Sequence, residues 1–209
     1  MPSWSLTDAD VLAQQYKYTF YKPGVAEISK VQPGEVVKLI FAFESDDPAA
    51  PSAERMWVKV LEVLPGLKFR GALDNEPRYI KDLKPDDVVE FEARHIINCD
   101  HDSSNNLVER YIKRCFVTHR ILEDQERVGY LYREDPDRDD DSGWRMTAGD
   151  ESDEYMDNAD NHSYVSLGAV LSVDDSFVGL LDSPSGSAYA RVEETGEFRS
   201  EERRVGKEC

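Results

Sequence analysis

The chain has 209 residues, of which 40% are hydrophobic, and its 43 acidic and 25 basic residues give a formal net charge of −18. This apolar content is enough for folded cores and excludes a wholly disordered chain. The longest apolar run, 36–43, is interrupted by Lys38 and is far shorter than the roughly 18 residues of a membrane span. The first ten residues lack the basic and apolar segments of a signal peptide, so we expect a cytoplasmic protein.

The acidic residues are concentrated in the second half of the chain. Residues 107–198 carry 22 acids and 9 bases, a net charge of −13, whereas residues 1–106 carry 18 acids and 12 bases, a net charge of −6. Twelve acids and two bases lie between 134 and 160. Such a negative field repels nucleic acid and anionic membranes and attracts cationic surfaces. We therefore expect a cationic protein partner, and neither nucleic acid nor a membrane.

The first half predicts a small, mainly antiparallel β domain, 1–103, with a leading helix. The helix has a cap sequence at 6–8, and four of its side chains can share one face: Val11, Leu12, Gln15 and Tyr16. Strands are predicted where β-branched and aromatic residues cluster or alternate with polar ones. These segments are 35–43, 55–63, 68–73 and 88–93.

The second half predicts a compact α+β domain, 107–198, which follows a Ser/Asn/Asp-rich linker at 101–106. Extended segments are predicted at 113–121, 128–133 and 164–167. Helices are predicted at 150–158, with Tyr155 and Met156 facing inward, and at 172–181, where acids occupy the first turn. The fold class of the whole chain is therefore α+β.

The last eleven residues, 199–209, are similar, residue for residue, to the translation of a common sequencing-adapter strand. We predict that this segment is a non-native tail that packs on nothing, and we exclude it from fold reasoning. Two cysteines then remain, Cys99 and Cys115. In a reducing cytosol we expect no disulfide between them.

Three patterns that could carry metal or catalytic chemistry are incomplete. The alternating acids at 135–141 lack the Gly and Glu that an EF-hand loop requires, so a solvated acidic loop is favoured and weak cation binding is the alternative. The His and Cys residues between 95 and 119 lack the spacing of a structural zinc site. Ser142 lies in a predicted turn, 141–145, without a neighbouring histidine as base. We therefore predict no metal, no cofactor and no enzymatic activity.

The motifs of the two halves resemble two known families. In the first half, four segments resemble the bacterial domain of unknown function 2314: Lys-Leu-Ile-Phe at 38–41, Arg-Met-Trp-Val at 55–58, Phe-Arg-Gly-Ala-Leu-Asp-Asn-Glu-Pro at 69–77 and Asp-Leu-Lys-Pro-Asp-Asp-Val-Val-Glu-Phe at 82–91. In the second half, four motifs occur in order: Val-Gly-Tyr-Leu-Tyr-Arg-Glu at 128–134, Asp-Ser-Gly-Trp-Arg at 141–145, Gly-Asp-Glu-Ser-Asp-Glu-Tyr at 149–155 and Leu-Leu-Asp-Ser-Pro-Ser-Gly-Ser-Ala at 180–188. They resemble the domain of unknown function 2185, the thirty-third family of predicted immunity proteins of polymorphic toxin systems. That resemblance implies a toxin-neutralising role and supplies no catalytic residues.

These observations favour an immunity-type protein that binds and neutralises a basic bacterial toxin effector. Acids between 134 and 160 would steer association, and a few buried anchors would supply affinity. The predicted partner-binding residues are Asp137, Asp139, Asp140, Asp141, Trp144, Arg145, Asp150, Glu151, Asp153, Glu154 and Tyr155.

Three alternatives stay open at this point. Trp144 and Tyr155 could belong to the core rather than to an interface. The chain could instead be a regulatory or scaffold module that binds a housekeeping protein or a peptide. An enzyme, the third alternative, would show a deep pocket lined by convergent polar groups.

Overall fold

The computed structural model describes residues 2–45, 47, 49–103 and 106–201. The chain divides into two compact units, Met1–Asn106 and Leu107–Cys209, and each unit contains a sheet of its own. The division falls at the end of the Ser/Asn/Asp-rich stretch. Short helices accompany mostly antiparallel strands, which confirms the predicted α+β class.

Among its described residues the first unit has one antiparallel, six-stranded sheet with the order β1-β2-β3-β4-β5. The sixth strand, β6, pairs with β2 next to β1, because β1 pairs with residues 41–43 of β2 and β6 with residues 37–39. The four predicted strands are present as β2 to β5. The elements are β1 (Trp4–Leu6), α1 (Ala9–Gln15), α2 (Val25–Ile28), β2 (Val36–Phe43), β3 (Ala53–Leu64), β4 (Lys68–Leu73), β5 (Val88–Glu92) and β6 (Ile96–Cys99).

The leading helix α1 starts at the predicted cap, since the Asp8 carboxylate accepts a hydrogen bond from the Asp10 amide at 3.0 Å. Its inner side differs from the predicted face. Ala9 is fully buried and packs in a small cluster with Ile40, whereas Val11 is 56% exposed. Leu12 of the predicted face also packs against this cluster, whereas Val11 and Tyr16 on that face are exposed.

The second unit has a mixed, six-stranded sheet with the order β10-β7-β9-β8-β11-β12 among its described residues. The neighbours β7 and β9 are parallel, and the other pairs are antiparallel. The strands are β7 (Arg114–Thr118), β8 (Tyr130–Arg133), β9 (Asp141–Thr147), β10 (His162–Ser166), β11 (Ala188–Arg191) and β12 (Phe198–Ser200). The helices are α3 (Leu107–Arg110), α4 (His119–Leu122), α5 (Asp153–Asp157) and α6 (Leu167–Leu171).

The segment 141–145, predicted as a turn, is the first part of the central strand β9. Gly143 keeps a turn-like backbone within the strand, with a φ of +80°. The pairing of β7 with β9 also shifts register between Arg114 and Phe116. The strand is therefore irregular at this point. This irregularity explains why the segment has the residues of a turn and lacks the alternation of apolar and polar residues that is typical of a regular strand.

The predicted α-helix at 172–181 is wrong, although a short 3-10 helix occupies Val178–Leu180. Helix α6 ends at Leu171, and the Asp174 carboxylate then accepts hydrogen bonds from the Val128 amide at 3.1 Å, from Ser176 and from Arg191. These bonds tie Asp174 to distant segments instead of placing it in the first turn of a helix.

The predicted non-native tail begins inside a strand. Arg199 and Ser200 belong to β12 and pair with Ala190 and Tyr189 of β11, and the Glu201 amide donates to the Ala188 carbonyl at 2.8 Å. The prediction that the tail packs on nothing is therefore wrong for its described residues, 199–201. The side chains of Arg199 and Ser200 are exposed. A sheet edge offers backbone groups that a chain of almost any sequence can pair with, which accounts for the pairing. Residues 202–209 lie outside the described residues.

Candidate functional site

One face of the second sheet is a buried core. The side chains on it are Cys115, Val117, Leu131, Trp144 and Met146, each at most 1% exposed. The indole nitrogen of Trp144 donates a hydrogen bond to the Leu181 carbonyl at 3.3 Å. Trp144, predicted as a partner anchor, therefore belongs to the core, and a partner could not reach its ring on the folded unit.

The opposite face of this sheet is only half-buried, and we call it the open face. Cross-strand pairing aligns one row of side chains over four strands: Tyr164, Phe116, Arg145 and Tyr132. Tyr130 lies two residues before Tyr132 and pairs with Thr147. The rings of Phe116 and Tyr164 have centroids 4.8 Å apart, and those of Tyr130 and Tyr132 are 5.8 Å apart.

Arg145 is at the centre of this row, yet it is only 8% exposed. Its guanidinium donates to both carboxylate oxygens of Asp141, at 3.0 and 2.9 Å, and to Glu134 at 3.1 Å. It also lies 5.0 Å from the centre of the Phe116 ring. A planar guanidinium matched to two oxygens of one carboxylate is a strong and geometrically specific pair.

Asp141 is even more deeply buried than its partner, at 1% exposure. The hydrogen bonds from Arg145 are the main reason that the pKa of the Asp141 carboxyl falls to about 2, and amide hydrogen bonds from Gly143 and Asp137 contribute. Asp141 and Arg145, both predicted to contact a partner, are therefore structural. Asp137 is near the same guanidinium, at 4.0 Å, but its side chain is 77% exposed.

The rest of the loop before β9 packs partly on the open face. The Tyr164 hydroxyl donates to Asp140 at 3.2 Å, and the Arg138 guanidinium lies 5.0 Å from the Tyr164 ring centre. Asp139 is exposed. Of the four predicted partner-binding acids in this loop, Asp137, Asp139 and Asp140 are thus largely exposed to solvent, although Asp140 also contacts Tyr164.

Beyond the other end of β9, Glu151 is also structural. Its carboxylate accepts hydrogen bonds from the Ala148 amide at 2.7 Å, the Gly149 amide at 2.8 Å and the Thr118 hydroxyl at 2.7 Å. Burial alone would raise the pKa of Glu151, but these bonds outweigh it and lower the pKa. Asp150 beside it forms an ion pair with Arg120 and is 76% exposed.

Helix α5 carries the last predicted site residues. Its cap is Ser152, whose hydroxyl accepts from the Tyr155 amide at 3.2 Å. Asp153 and Glu154 are exposed, and Tyr155 is half-buried. Met156, predicted to face inward, is instead 37% exposed.

The acids of 134–160 do not form the single face that the sequence suggested. The loop group (Asp135, Asp137, Asp139 and Asp140) precedes β9, whereas the helix group (Asp150, Asp153, Glu154 and Asp157) follows it. A strand of seven residues lies between them in the chain, and its ends are about 20 Å apart at 3.3 Å per residue. The two groups therefore approach the open face from the two ends of β9, and the loop group folds back as far as Arg145 and Tyr164.

A shallow depression of about 190 Å³ lies at the end of the open face nearer to α5. Its lining consists of Tyr130, Tyr132, Thr147, Gly149, Glu151 and Met156. Sequence analysis missed Tyr130 and Tyr132 as site residues. The available signal was the alternation Tyr-Leu-Tyr at 130–132, in which Leu131 is fully buried and both tyrosines are half-exposed.

Two larger hollows, of about 520 and 460 Å³, lie in the first unit around Phe43 and Glu44. The titratable side chains among their described lining residues are Glu44 and Asp47. In the described ranges, no three His, Cys, Asp or Glu side chains group as a metal site requires. None of the helices among the described residues is long and apolar enough to span a bilayer.

Cys99 and Cys115 are free and buried. Burial raises the pKa of the Cys99 thiol to about 11 and that of Cys115 to about 12. Because the thiolate is the nucleophile, neither cysteine is a reactive group at neutral pH. Ser142 is likewise structural: its hydroxyl donates to the Arg114 carbonyl at 2.7 Å, and its side chain is buried within β9.

Comparison with known families separates the chain into two overlapping parts. Residues 5–127 match the family described as "Uncharacterized protein conserved in bacteria (DUF2314)". The chain belongs to this family. The DUF2314 match extends past the first unit and covers β7 and α4 of the second, so the family boundary and the unit boundary differ.

Residues 115–202 match the "Immunity protein Imm33 domain", which is another name for the domain of unknown function 2185. The tandem indicated by the motifs is thereby confirmed. The Imm33 match contains the whole open face and both groups of acids. It supports an immunity-type role in polymorphic toxin systems, with a protein as the partner. No curated protein and no solved structure matches the chain.

Proposed function

We propose that this DUF2314–Imm33 chain binds a bacterial toxin effector with a basic surface and neutralises it by occupying that surface. The observation that carries the proposal is the Imm33 match over 115–202, which coincides with the strongly acidic half of the chain. An effector that handles nucleic acid has a cleft built to hold phosphates, and such a cleft is a natural partner for exposed carboxylates.

The exposed acids supply the steering field. Asp139, Asp153 and Glu154 project into solvent, at the two ends of the open face. Complementary charge mainly accelerates the encounter and selects the partner. The structural carboxylates Asp141 and Glu151 contribute charge to this field, but their oxygens are already hydrogen-bonded within the unit.

The proposal is tested with the carboxy-terminal domain of a toxin encoded directly beside this chain. We expect a stoichiometric complex by calorimetry and loss of the toxin's activity when the two proteins are mixed. An unrelated folded protein of similar net charge serves as the control and should leave the toxin active. Failure to form a complex at micromolar concentrations would refute the proposal. A complex that leaves the toxin fully active would instead favour the regulatory or scaffold alternative.

A further inference from the structure

The depression beside the two tyrosines has a size that suits one amino-acid side chain. Its volume is about 190 Å³, whereas small-molecule sites typically occupy roughly 300–1,000 Å³. It opens on the half-buried face of the sheet. A protruding side chain of a protein partner could therefore enter it without rearrangement of the strands.

The wall of the depression is aromatic and fixed in place. Tyr130 and Tyr132 are two residues apart on β8, so their side chains emerge on the same face, and their rings are inclined by 37°. Tyr130 pairs with Thr147 and Tyr132 with Arg145 in the neighbouring strand, which holds both positions. The face of a tyrosine ring attracts a cation that lies within about 6 Å of its centre.

The lining of the depression carries negative charge, since Glu151 is the only charged residue among the six that line it. Arg120, which pairs with Asp150 and Glu126, is a cation near this end of the sheet. Helix α5, which contributes Met156, also carries Asp153, Glu154 and Asp157. The nearby cation on the open face, Arg145, is already paired with Asp141 and Glu134.

Met156 completes the site with an apolar surface. Its side chain is 37% exposed, although the residue lines the depression. An unbranched thioether adapts readily to the methylene groups of a long side chain. The combination of aromatic faces, carboxylates and one flexible apolar residue matches both parts of arginine or lysine, the charged head and the aliphatic stem.

From these observations we infer that the depression lined by Tyr130, Tyr132, Glu151 and Met156 receives a single arginine or lysine side chain from the effector. The inference rests on the proposed function, because it names the contact through which a basic partner is held. The two acid groups bring the partner to the open face, and this contact slows its departure.

The first test uses the full chain and a small probe, so it does not depend on any effector. N-acetyl-arginine amide is titrated into the protein while the ring resonances of Tyr130 and Tyr132 and the methyl resonance of Met156 are followed by NMR. N-acetyl-citrulline amide, which has nearly the same shape without the charge, is the matched control. We expect saturable shifts of these resonances at millimolar concentrations with the arginine probe and much smaller shifts with the citrulline probe. Equal shifts with both probes, or shifts confined to other residues, would overturn the inference.

The second test separates the rings from their hydroxyl groups. The double variant Y130L/Y132L keeps apolar bulk on the strand and removes the aromatic faces, whereas Y130F/Y132F keeps the faces. With the effector, we expect dissociation to be about tenfold faster for the leucine pair and nearly unchanged for the phenylalanine pair. Unchanged dissociation of a correctly folded leucine pair would reject this contact and leave the proposed function intact. If the effector does not bind the unaltered chain, the proposed function is rejected. The NMR titration with the arginine probe then still tests the depression on its own.

Discussion

Asp141 and Arg145 lie four residues apart on β9, and their side chains meet through two hydrogen bonds of 3.0 and 2.9 Å. Both groups are almost completely buried. The same guanidinium also binds Glu134, so it fixes the start and the end of the loop that leads into the strand. The pair therefore organises the acidic loop from inside the unit.

Breaking this pair should strongly destabilise the second unit. Asp141→Asn leaves the buried Arg145 guanidinium without the negative charge of its main partner. Removal of one partner of a buried ion pair lowers the free energy of unfolding by about 3–5 kcal/mol. The measurement is urea unfolding followed by circular dichroism. Asp139→Asn, which removes the same charge from an exposed side chain of the same loop, should stay within about 0.5 kcal/mol of the unaltered chain. Equal losses in both variants would show that the loss reflects charge in the loop and not the buried pair.

The stability of the second unit should also decrease in acid. The pKa of Asp141 is lowered to about 2 in the folded chain, from the usual 3.8, so the folded state favours the ionised carboxylate. Its contribution to stability is fully present above the unfolded pKa and is lost as the pH falls toward the folded pKa. Urea midpoints measured between pH 5 and pH 2 should therefore fall, chiefly below about pH 4. The urea midpoint of Asp141→Asn should fall less than that of the unaltered chain between pH 5 and pH 2. If both midpoints fall equally, Asp141 is not the group whose protonation destabilises the unit.

The strands of the first unit were predictable to different degrees. Strands β2 to β5 each contain five or more residues, enough for a clear apolar pattern. Strand β1 has three residues and β6 has four, which is too short for periodicity to distinguish a strand from a loop. Tertiary pairing with β2 decides their conformation.

The roles of the acids were not predictable, because Asp139 and Asp141 are equivalent neighbours in the sequence. Only the irregular register of β9 places Arg145 beside Asp141 and leaves Asp139 in solvent. The same register buries Trp144, which sequence reasoning treated as a candidate contact. The concentration of negative charge could thus be predicted from the sequence. Which carboxylates are buried and structural, and which are exposed, depends on how the strands pair.

Gly143, the one glycine of β9, should tolerate replacement by alanine poorly. It has a φ of +80°, and an added Cβ would lie 2.2 Å from the Glu134 carbonyl oxygen. Gly186 is a matched control, since its φ is +91° and an added Cβ would meet no atom within 4 Å. Gly186→Ala should cost about 1–2 kcal/mol for the left-handed backbone alone.

Gly143→Ala should cost more than Gly186→Ala, because the close approach to the Glu134 backbone adds overpacking strain of about 1–3 kcal/mol. Comparison of the two unfolding free energies isolates the contribution of that contact. If the two alanine variants are equally stable, the loop before β9 can move away from Gly143 without penalty, and the tight connection between Glu134 and Gly143 is not important for folding.

The two acid groups should contribute unequally to association with a basic effector. They precede and follow β9, and the Debye length at physiological salt is only about 8 Å, so each acts mainly on the part of the partner nearest to it. The helix pair Asp153→Asn/Glu154→Gln adjoins the tyrosine depression, the loop pair Asp135→Asn/Asp139→Asn is at the far end, and Glu44→Gln/Glu76→Gln in the first unit removes two exposed charges as the control. At physiological salt we expect stopped-flow association to slow most for the helix pair, less for the loop pair and hardly at all for the control pair. The dissociation rate should change little in all three, because charge steering acts on the encounter.

If all three variants slow association equally, only the net charge of the chain matters, and the location of the acids at the ends of the open face does not direct the partner.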